Sequence, residues 1–206
     1  MSTVAIDIDS TLYDFETVFR QAYIDIAIEN GNKSLFRGAY SSWVEWRSPR
    51  DVCGEEAFQQ ALERVHTYDV ITSRSPYEGS NDVLCSLKDA GHELLYISNR
   101  SKSLFEPTSE WINNNFPQGE LICTIDDKQP EISDCQYIID DRPKTLCEFL
   151  YNNSWQGSPR IAFGLLFEYN RALTDIPNVY LAPTWAGIKF YLQREEVIED
   201  GIYSNA

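Results

Sequence analysis

Short apolar runs alternate with amphipathic segments along most of the chain. Six apolar runs favour β-strands, at 4–8, 93–98, 121–124, 137–139, 160–163 and 179–181. Helical periodicity separates or closes them, at about 12–29, 80–90, 103–115, 145–152 and 184–199. Glycines follow two of the helical segments, at Gly31 and Gly91, as helix stops do. This order predicts an α/β fold, with a Rossmann-like, mostly parallel sheet and helices on both of its faces.

The stretch 16–75 departs from the alternation, because it contains several helical patterns and no convincing strand. We therefore predict a small helical cap subdomain at 16–75, inserted after the first strand. The α/β core is then formed by 1–15 and 76–206. Trp43 and Trp46, three residues apart, lie on one helical face of this segment. Packing between cap helices is favoured for this pair over a place in a binding pocket.

Composition and charge limit the classes of function. With 206 residues and 43% hydrophobic residues the chain is long and apolar enough for one sizeable core. Its formal charge of −15 argues against extended nucleic-acid binding, but local cations can still accommodate a small anionic substrate. No apolar run approaches membrane-spanning length, and no basic region followed by an apolar stretch opens the chain. Five cysteines without CxxC spacing favour reduced thiols, so we predict a cytoplasmic protein without membrane contact.

Two acidic pairs stand at the ends of predicted strands. Asp7 and Asp9 follow the first strand, where alternation sends both to the same side, and Asp140 and Asp141 follow the fourth. Carboxylates this close repel each other unless a cation or a shared proton relieves them. The pairs therefore suggest Mg²⁺ at the carboxyl edge of the sheet. The alternatives are a solvated turn for the first pair and, for the second, a polar loop before a helix that begins near Pro143.

Two further polar residues lie near strand ends in the same order along the chain. Ser98 ends the second predicted strand and could donate a hydrogen bond to a phosphoryl oxygen, or simply cap a helix. Lys128 could neutralise the charge of a transferred phosphate, although most lysines lie in solvent. Because parallel strands bring their carboxyl ends to one edge, the two acidic pairs, the hydroxyl and the lysine can converge there.

Taken together, these positions resemble a known family. The chain resembles the haloacid dehalogenase superfamily, whose members are mostly phosphatases, at all four motifs of that superfamily. The matching positions are Asp7-x-Asp9-x-Thr11, Ser98, Lys128 and Asp140-Asp141. The resemblance spans 4–143, and the helical insert lies where that superfamily carries its first type of cap.

A narrower resemblance points to the 5′(3′)-deoxyribonucleotidases. The segment 7–16, with its Asp-Phe-Glu triplet at 14–16, is similar to their opening motif. The segment 139–143, Ile-Asp-Asp-Arg-Pro, is similar to their fourth motif. The chain departs from the group at Ser10, where a glycine is usual, and at Ser98-Asn99-Arg100, which differs from the usual second motif.

The resemblance implies roles for the acidic residues. Asp7 would attack phosphorus and form an aspartyl-phosphate, and Asp9 would act as acid and base with a raised pKa. Mg²⁺ would be held by the Asp7 side chain, the Asp9 backbone carbonyl and one or both of Asp140 and Asp141. This is a set of oxygen ligands with room for water and phosphate.

The same resemblance implies the groups that bind the substrate. Ser98 and Lys128 would bind the phosphoryl oxygens, with Asn99 as a further substrate-binding residue. Phe15 would stack on a nucleobase, and its alternative is a core position on an amphipathic helix. Capping of the following helix is favoured for Thr11 over a phosphate contact. In one interpretation, Arg142 pairs with a neighbouring aspartate. His66 and His92 are given no role, because they lack the spacing of metal ligands.

These expectations describe a Mg²⁺-dependent phosphomonoesterase that hydrolyses a (deoxy)nucleoside monophosphate, a small phosphorylated substrate. Three alternatives stay open at this level. They are a phosphatase for another small phosphorylated metabolite, a phosphatase for a nucleic-acid 3′-phosphate, and a non-catalytic binding protein on the same scaffold. The sequence also leaves a homodimer open.

Overall fold

The computed structural model describes residues 2–31, 54–125, 127–152 and 157–199. Its strands are β1 Thr3–Asp7, β2 Glu93–Ser98, β3 Glu120–Cys123, β4 Tyr137–Ile139, β5 Ile161–Leu165 and β6 Val179–Ala182. Its α-helices are α1 Phe15–Glu29, α2 Glu55–Val65, α3 Tyr68–Thr72, α4 Ser80–Asp89, α5 Phe105–Asn115, α6 Pro143–Leu150 and α7 Trp185–Arg194. Two 3₁₀ segments, Lys102–Leu104 and Glu168–Asp175, complete the described elements.

The strands form one sheet in the order β3-β2-β1-β4-β5-β6, and each recorded pairing is parallel. The chain builds the sheet outwards from β1 on one side and from β4 on the other. The strand order therefore reverses between these two neighbours, and ligands of open α/β sheets bind beside the carboxyl ends at such a point. Asp7 ends β1 and Asp140 directly follows β4, so both lie at this crevice.

Both faces of the sheet are covered by apolar side chains, which explains the near-continuous apolar runs of its strands. On β1, Val4 and Ile6 belong to one buried cluster and Ala5 to the other. On β2, Tyr96 and Ile97 divide in the same way. Helices supply the remainder of each cluster: Val83, Trp111 and Ile188 on the first face, Leu146 and Phe149 on the second. This confirms the predicted parallel sheet with helices on both faces.

Every predicted strand is present, and the ends differ by a few residues at most. The described part of the segment 16–75 contains the helices α1, α2 and α3 and no strand. Its division from the core as a cap subdomain remains a prediction, and Trp43 and Trp46 lie outside the described residues. The 3₁₀ segment Glu168–Asp175 was not predicted, because its short turns carry no helical period. Within the described residues, none of the helices is both long and apolar enough to span a bilayer.

The β4–β5 pair carries a tight backbone approach beside the crevice. A Cβ added to Gly164 of β5 would lie 2.3 Å from the Asp140 carbonyl oxygen and 3.2 Å from Leu181 Cδ2. We expect Gly164→Ala to lower the free energy of unfolding by about 1–3 kcal/mol, because backbone must shift to admit the methyl group. Urea unfolding of both proteins measures this difference. An unchanged midpoint and slope of the urea unfolding curve would show that β4 and β5 admit the methyl group without loss of stability.

Candidate active site

A tight loop joins β1 to α1 and places the first acidic pair. Ser10 has φ 63°, in the left-handed region that favours glycine, so serine holds this turn at a cost of roughly 1–2 kcal/mol. The glycine that the deoxyribonucleotidases carry at this position fits that conformation without strain. Asp14 caps α1, since its side chain accepts a hydrogen bond from the backbone N–H of Thr17. The loop thus runs from strand to helix with both Asp7 and Asp9 facing the carboxyl edge.

Three carboxylates meet at the crevice. Asp7, Asp140 and Asp141 each offer an oxygen, and these oxygens lie within 4.8 Å of one another. Lys128 is buried among them, where Nζ donates to Asp7 Oδ1 and, at 3.3 Å, to Asp140 Oδ2. One ammonium cannot neutralise three buried carboxylates, so the cluster retains excess negative charge. Its donor set, all carboxylate oxygens, suits a hard divalent cation such as Mg²⁺.

The pKa values of Asp7, Asp141 and Lys128 reflect the burial of these groups and the excess negative charge of the cluster. Burial raises the pKa of Asp7 to about 6, with Asp140 and Asp9 adding to the effect and Lys128 opposing it. Burial, together with Asp7 and Asp140, raises the pKa of Asp141 well above its ordinary value. Burial lowers the pKa of Lys128, but the flanking carboxylates outweigh it, so the net shift is upwards and Lys128 stays charged. A cation among these carboxylates would lower the pKa values of Asp7 and Asp141.

Asp9 lies apart from that cluster and is held by a different cation. Arg100 Nη2 donates to Asp9 Oδ1 at 2.6 Å, and its Nε donates to Oδ2 at 3.3 Å. Tyr13 and Ser98 also donate to the Asp9 carboxylate, at 2.7 and 3.2 Å. Arg100 is 1% exposed and also donates to Thr108 Oγ1 at 2.9 Å. Every acceptor position of this carboxylate is therefore in use.

The expectation of a raised pKa for Asp9 is wrong in this arrangement. Burial alone would raise it, but Arg100 and the hydrogen bond from Tyr13 hold the pKa of Asp9 well below its ordinary value. The same contacts engage Ser98, whose hydroxyl donates to Asp9. Ser98 is buried at the end of β2 as predicted, but its partner in this structure is a carboxylate.

Thr11 does not cap α1, which corrects the favoured interpretation of this residue. Its Oγ1 donates to Asp7 Oδ2 at 3.1 Å and lies 3.5 Å from Asp141 Oδ1, and its side chain is buried. The indole N–H of Trp185 donates to the Thr11 carbonyl at 3.1 Å and ties the loop to α7. Thr11 therefore links the two acidic pairs.

A cavity of about 230 Å³ opens above these groups. Its polar floor is formed by Asp7, Asp9, Ser10, Asn99, Lys128, Asp141 and Arg142. Arg142 does pair with a neighbouring aspartate, but through its backbone N–H, which donates to Asp140 Oδ1 at 2.7 Å, while its guanidinium Nη1 donates to Asn99 Oδ1 at 2.9 Å. The walls come from the helices that follow β1: Phe15, Phe58, Leu62 and His66. The cavity thus combines charged groups of both signs on one side with largely apolar side chains on the other.

Phe15 lies at this cavity but is 2% exposed, because other rings surround it. It stacks on Phe19 with ring centroids 5.5 Å apart and contacts His66 at 5.8 Å. Both of its earlier interpretations, core residue and wall of a substrate pocket, are thus compatible with its position. Its stacking on a nucleobase stays a prediction.

Four residues of the site escaped the sequence analysis. They are Tyr13, His66, Arg100 and Tyr169, the last of which donates a hydrogen bond to Asp141 Oδ2. Tyr13 stands four residues after Asp9, which is a local signal, whereas Arg100 only follows an apolar strand. Nothing in the sequence around Tyr169 or His66 indicates which carboxylate or cavity it faces. Their contacts depend on which strands are neighbours.

Comparison with solved structures identifies the fold. The HAD family hydrolase of Deinococcus radiodurans R1, solved with bound phosphate and sodium, matches with a TM-score of 0.64 and 14% identity, over 96% of this chain and 97% of that one. CbbY of Rhodobacter sphaeroides, solved with xylulose-(1,5)bisphosphate, matches with a TM-score of 0.56 and 14% identity, over 91% of this chain and 99% of that one. The chain thus has the fold of the haloacid dehalogenase-like hydrolases and phosphatases.

Sequence comparison is less extensive. No protein-family model matches the chain. The curated protein "Putative nucleotidase OB0422" of Oceanobacillus iheyensis is 29% identical over 100 residues, which are 45% of this chain. The matched region spans about half, 51%, of that relative's length.

Proposed function

Because the chain has the haloacid dehalogenase fold, we propose that it is a Mg²⁺-dependent phosphomonoesterase acting on a (deoxy)nucleoside monophosphate. The observation that carries this proposal is the buried cluster of Asp7, Asp140 and Asp141 with Lys128 at the switch point of the sheet. Its excess negative charge calls for a cation, and its lysine can bind phosphoryl oxygens. The distant nucleotidase relative and the ring-lined cavity favour a nucleotide as substrate.

Asp7 is the nucleophile in this mechanism. One carboxylate oxygen attacks phosphorus, the bond from phosphorus to the ester oxygen breaks, and an aspartyl-phosphate forms while the leaving alcohol takes a proton. Lys128 keeps Asp7 ionised, since its ammonium donates to the attacking carboxylate. The same ammonium, with Asn99 at the cavity floor, binds the oxygens of the phosphoryl group. Water then cleaves the aspartyl-phosphate and regenerates Asp7.

Asp9 is the group assigned to proton transfer. Its pairing with Arg100 favours the charged form, whose two oxygens already accept hydrogen bonds from Arg100, Tyr13 and Ser98. To accept a proton from the attacking water in the second half of the reaction, Asp9 must therefore release one of these donors. The same pairing opposes the protonated form needed to protonate the leaving alcohol. Donation to the alcohol therefore requires that Asp9 loosen its contact with Arg100.

Mg²⁺ would be held by Asp7, Asp140 and Asp141, together with the Asp9 carbonyl that the family resemblance implies. When bound, it would neutralise charge on the phosphoryl oxygens and on the clustered carboxylates. The Tyr169 hydroxyl donates a hydrogen bond to Asp141 Oδ2, and the Thr11 hydroxyl lies 3.5 Å from Asp141 Oδ1. Such contacts orient a ligand carboxylate before the metal arrives.

Chelation tests the metal dependence. We expect phosphate release to fall to background after treatment with EDTA and to return with added Mg²⁺, because the cluster alone leaves excess negative charge facing an anionic substrate. The measurement is inorganic phosphate released from nucleoside 5′- and 3′-monophosphates, sugar phosphates and oligonucleotides with a 3′-phosphate. Full activity in EDTA would contradict the mechanism. Hydrolysis of oligonucleotides alone would replace the nucleotidase by an end-processing phosphatase.

A further inference from the structure

His66 is the polar member of an otherwise apolar cavity wall. Phe58, Leu62 and His66 follow one another at intervals of four residues along α2 and its carboxyl end, so they share one helix face. That face lines the cavity, opposite the carboxylates of the floor. Among the described cavity-lining residues of α1, of α2 and of the turn that ends α2, His66 alone carries a side-chain hydrogen-bonding group.

The Nε2 atom of His66 is buried and has no hydrogen-bond partner in the part of the chain that the structure describes. Buried polar atoms are nearly always paired, so an unpaired one at a cavity wall requires an explanation. The other histidine shows the contrast, because Nε2 of His92 lies 2.8 Å from the Val197 carbonyl and its Nδ1 lies 2.9 Å from Ser2 Oγ.

The position of His66 places it near the proposed leaving group. His66 and Asp9 line the same cavity. Asp9 is the group assigned to the leaving oxygen, so the leaving group of a bound ester lies between Asp9 and the α2 wall. Contact with Phe15, at a centroid distance of 5.8 Å, fixes the ring against the apolar side of the cavity.

We propose that His66 is a specificity-determining residue whose Nε2 hydrogen-bonds to a polar atom of the substrate's leaving group, on its ring or its sugar. This inference rests on the proposed phosphomonoesterase function and deepens it. The cavity then selects phosphate esters whose leaving group combines an apolar ring face for the Phe58 and Leu62 wall with a hydrogen-bonding edge for His66. A substrate without a hydrogen-bonding edge leaves Nε2 of His66 unpaired, so His66 does not increase the kcat/KM for that substrate.

The test compares two substrates and two histidines. His66→Leu should lower kcat/KM for deoxynucleoside 5′-monophosphates about tenfold more than for phenyl phosphate, whose leaving group has a ring but no polar edge. His66→Gln, which keeps a hydrogen-bonding group, should restore part of that ratio. The matched control is His92→Leu, which lies away from the cavity and should leave the ratio of the two kcat/KM values unchanged.

Thermal unfolding separates a binding role from a structural one. The midpoint of His66→Leu should equal or exceed that of the wild type, because an unpaired buried atom is removed, whereas His92→Leu should unfold at a lower temperature. Equal losses on both substrates, or an unchanged ratio for His66→Leu, would overturn the inference while leaving the phosphatase intact. A wild-type protein that hydrolyses neither ester would instead refute the proposed function itself.

Discussion

Replacing Asp7 by asparagine is expected to lower the rate of phosphate release at least about 10³-fold, because the amide cannot act as the attacking group. Asp7 ends β1 at the switch point, where Lys128 and Thr11 both donate to its carboxylate. The asparagine side chain has the same shape, and its one carbonyl oxygen can still accept a hydrogen bond. The measurement is the steady-state rate of phosphate release at saturating nucleotide and Mg²⁺.

The fold should survive this substitution. Asp7, Asp140 and Asp141 repel one another, so removing one negative charge from the cluster relieves repulsion even as it weakens the contact with Lys128. We expect circular dichroism to be unchanged and the thermal midpoint to move by only a few degrees. Asp89→Asn, at an exposed position at the end of α4, serves as the matched control and should retain wild-type turnover. Wild-type turnover by Asp7→Asn would remove Asp7 from the mechanism.

Replacing Arg100 by methionine is expected to produce the largest loss of stability, about 3–5 kcal/mol. The guanidinium is 1% exposed, and methionine would leave the Asp9 carboxylate without its countercharge. It would also leave Thr108 Oγ1 without the donor that it has at 2.9 Å. Urea unfolding followed by far-UV circular dichroism measures the difference. For a chain of this size, it corresponds to a decrease of about 6–20 °C in the thermal midpoint.

A double-mutant cycle identifies the ion pair as the cause. Asp9→Asn combined with Arg100→Met should be more stable than Arg100→Met alone, because no charge is then left buried without a partner. Arg64→Met provides the comparison, since the Arg64–Glu29 pair is exposed and solvent screening leaves it little effect on the free energy of unfolding. If the double variant were as unstable as Arg100→Met, packing of the arginine would be responsible, and the ion pair would not.

Local sequence predicted the elements of this fold well, because the strands are buried on both faces and read as apolar runs. It also predicted that Asp7 and Asp140 lie at the same edge, since parallel strands align their carboxyl ends. The φ of Ser10 agrees with the glycine found at that position in the resembled family. The capping role favoured for Thr11 was wrong because its hydroxyl donates to Asp7. The contact of the Arg142 guanidinium with Asn99 could not be predicted, because the two residues are 43 positions apart in the sequence.

The sequence by itself determined the α/β class, the strand ends and the residue types available for phosphoryl chemistry, because these follow from periodicity and from side chains a few residues apart. Tertiary structure alone decided how the charges are shared. It joined Asp9 to Arg100, 91 residues away, and Lys128 to Asp7, 121 residues away. Burial raises the pKa of both carboxylates, Lys128 opposes that rise at Asp7, and Arg100 with its neighbours reverses it at Asp9. Tertiary packing also placed His66 at the cavity, in contact with Phe15.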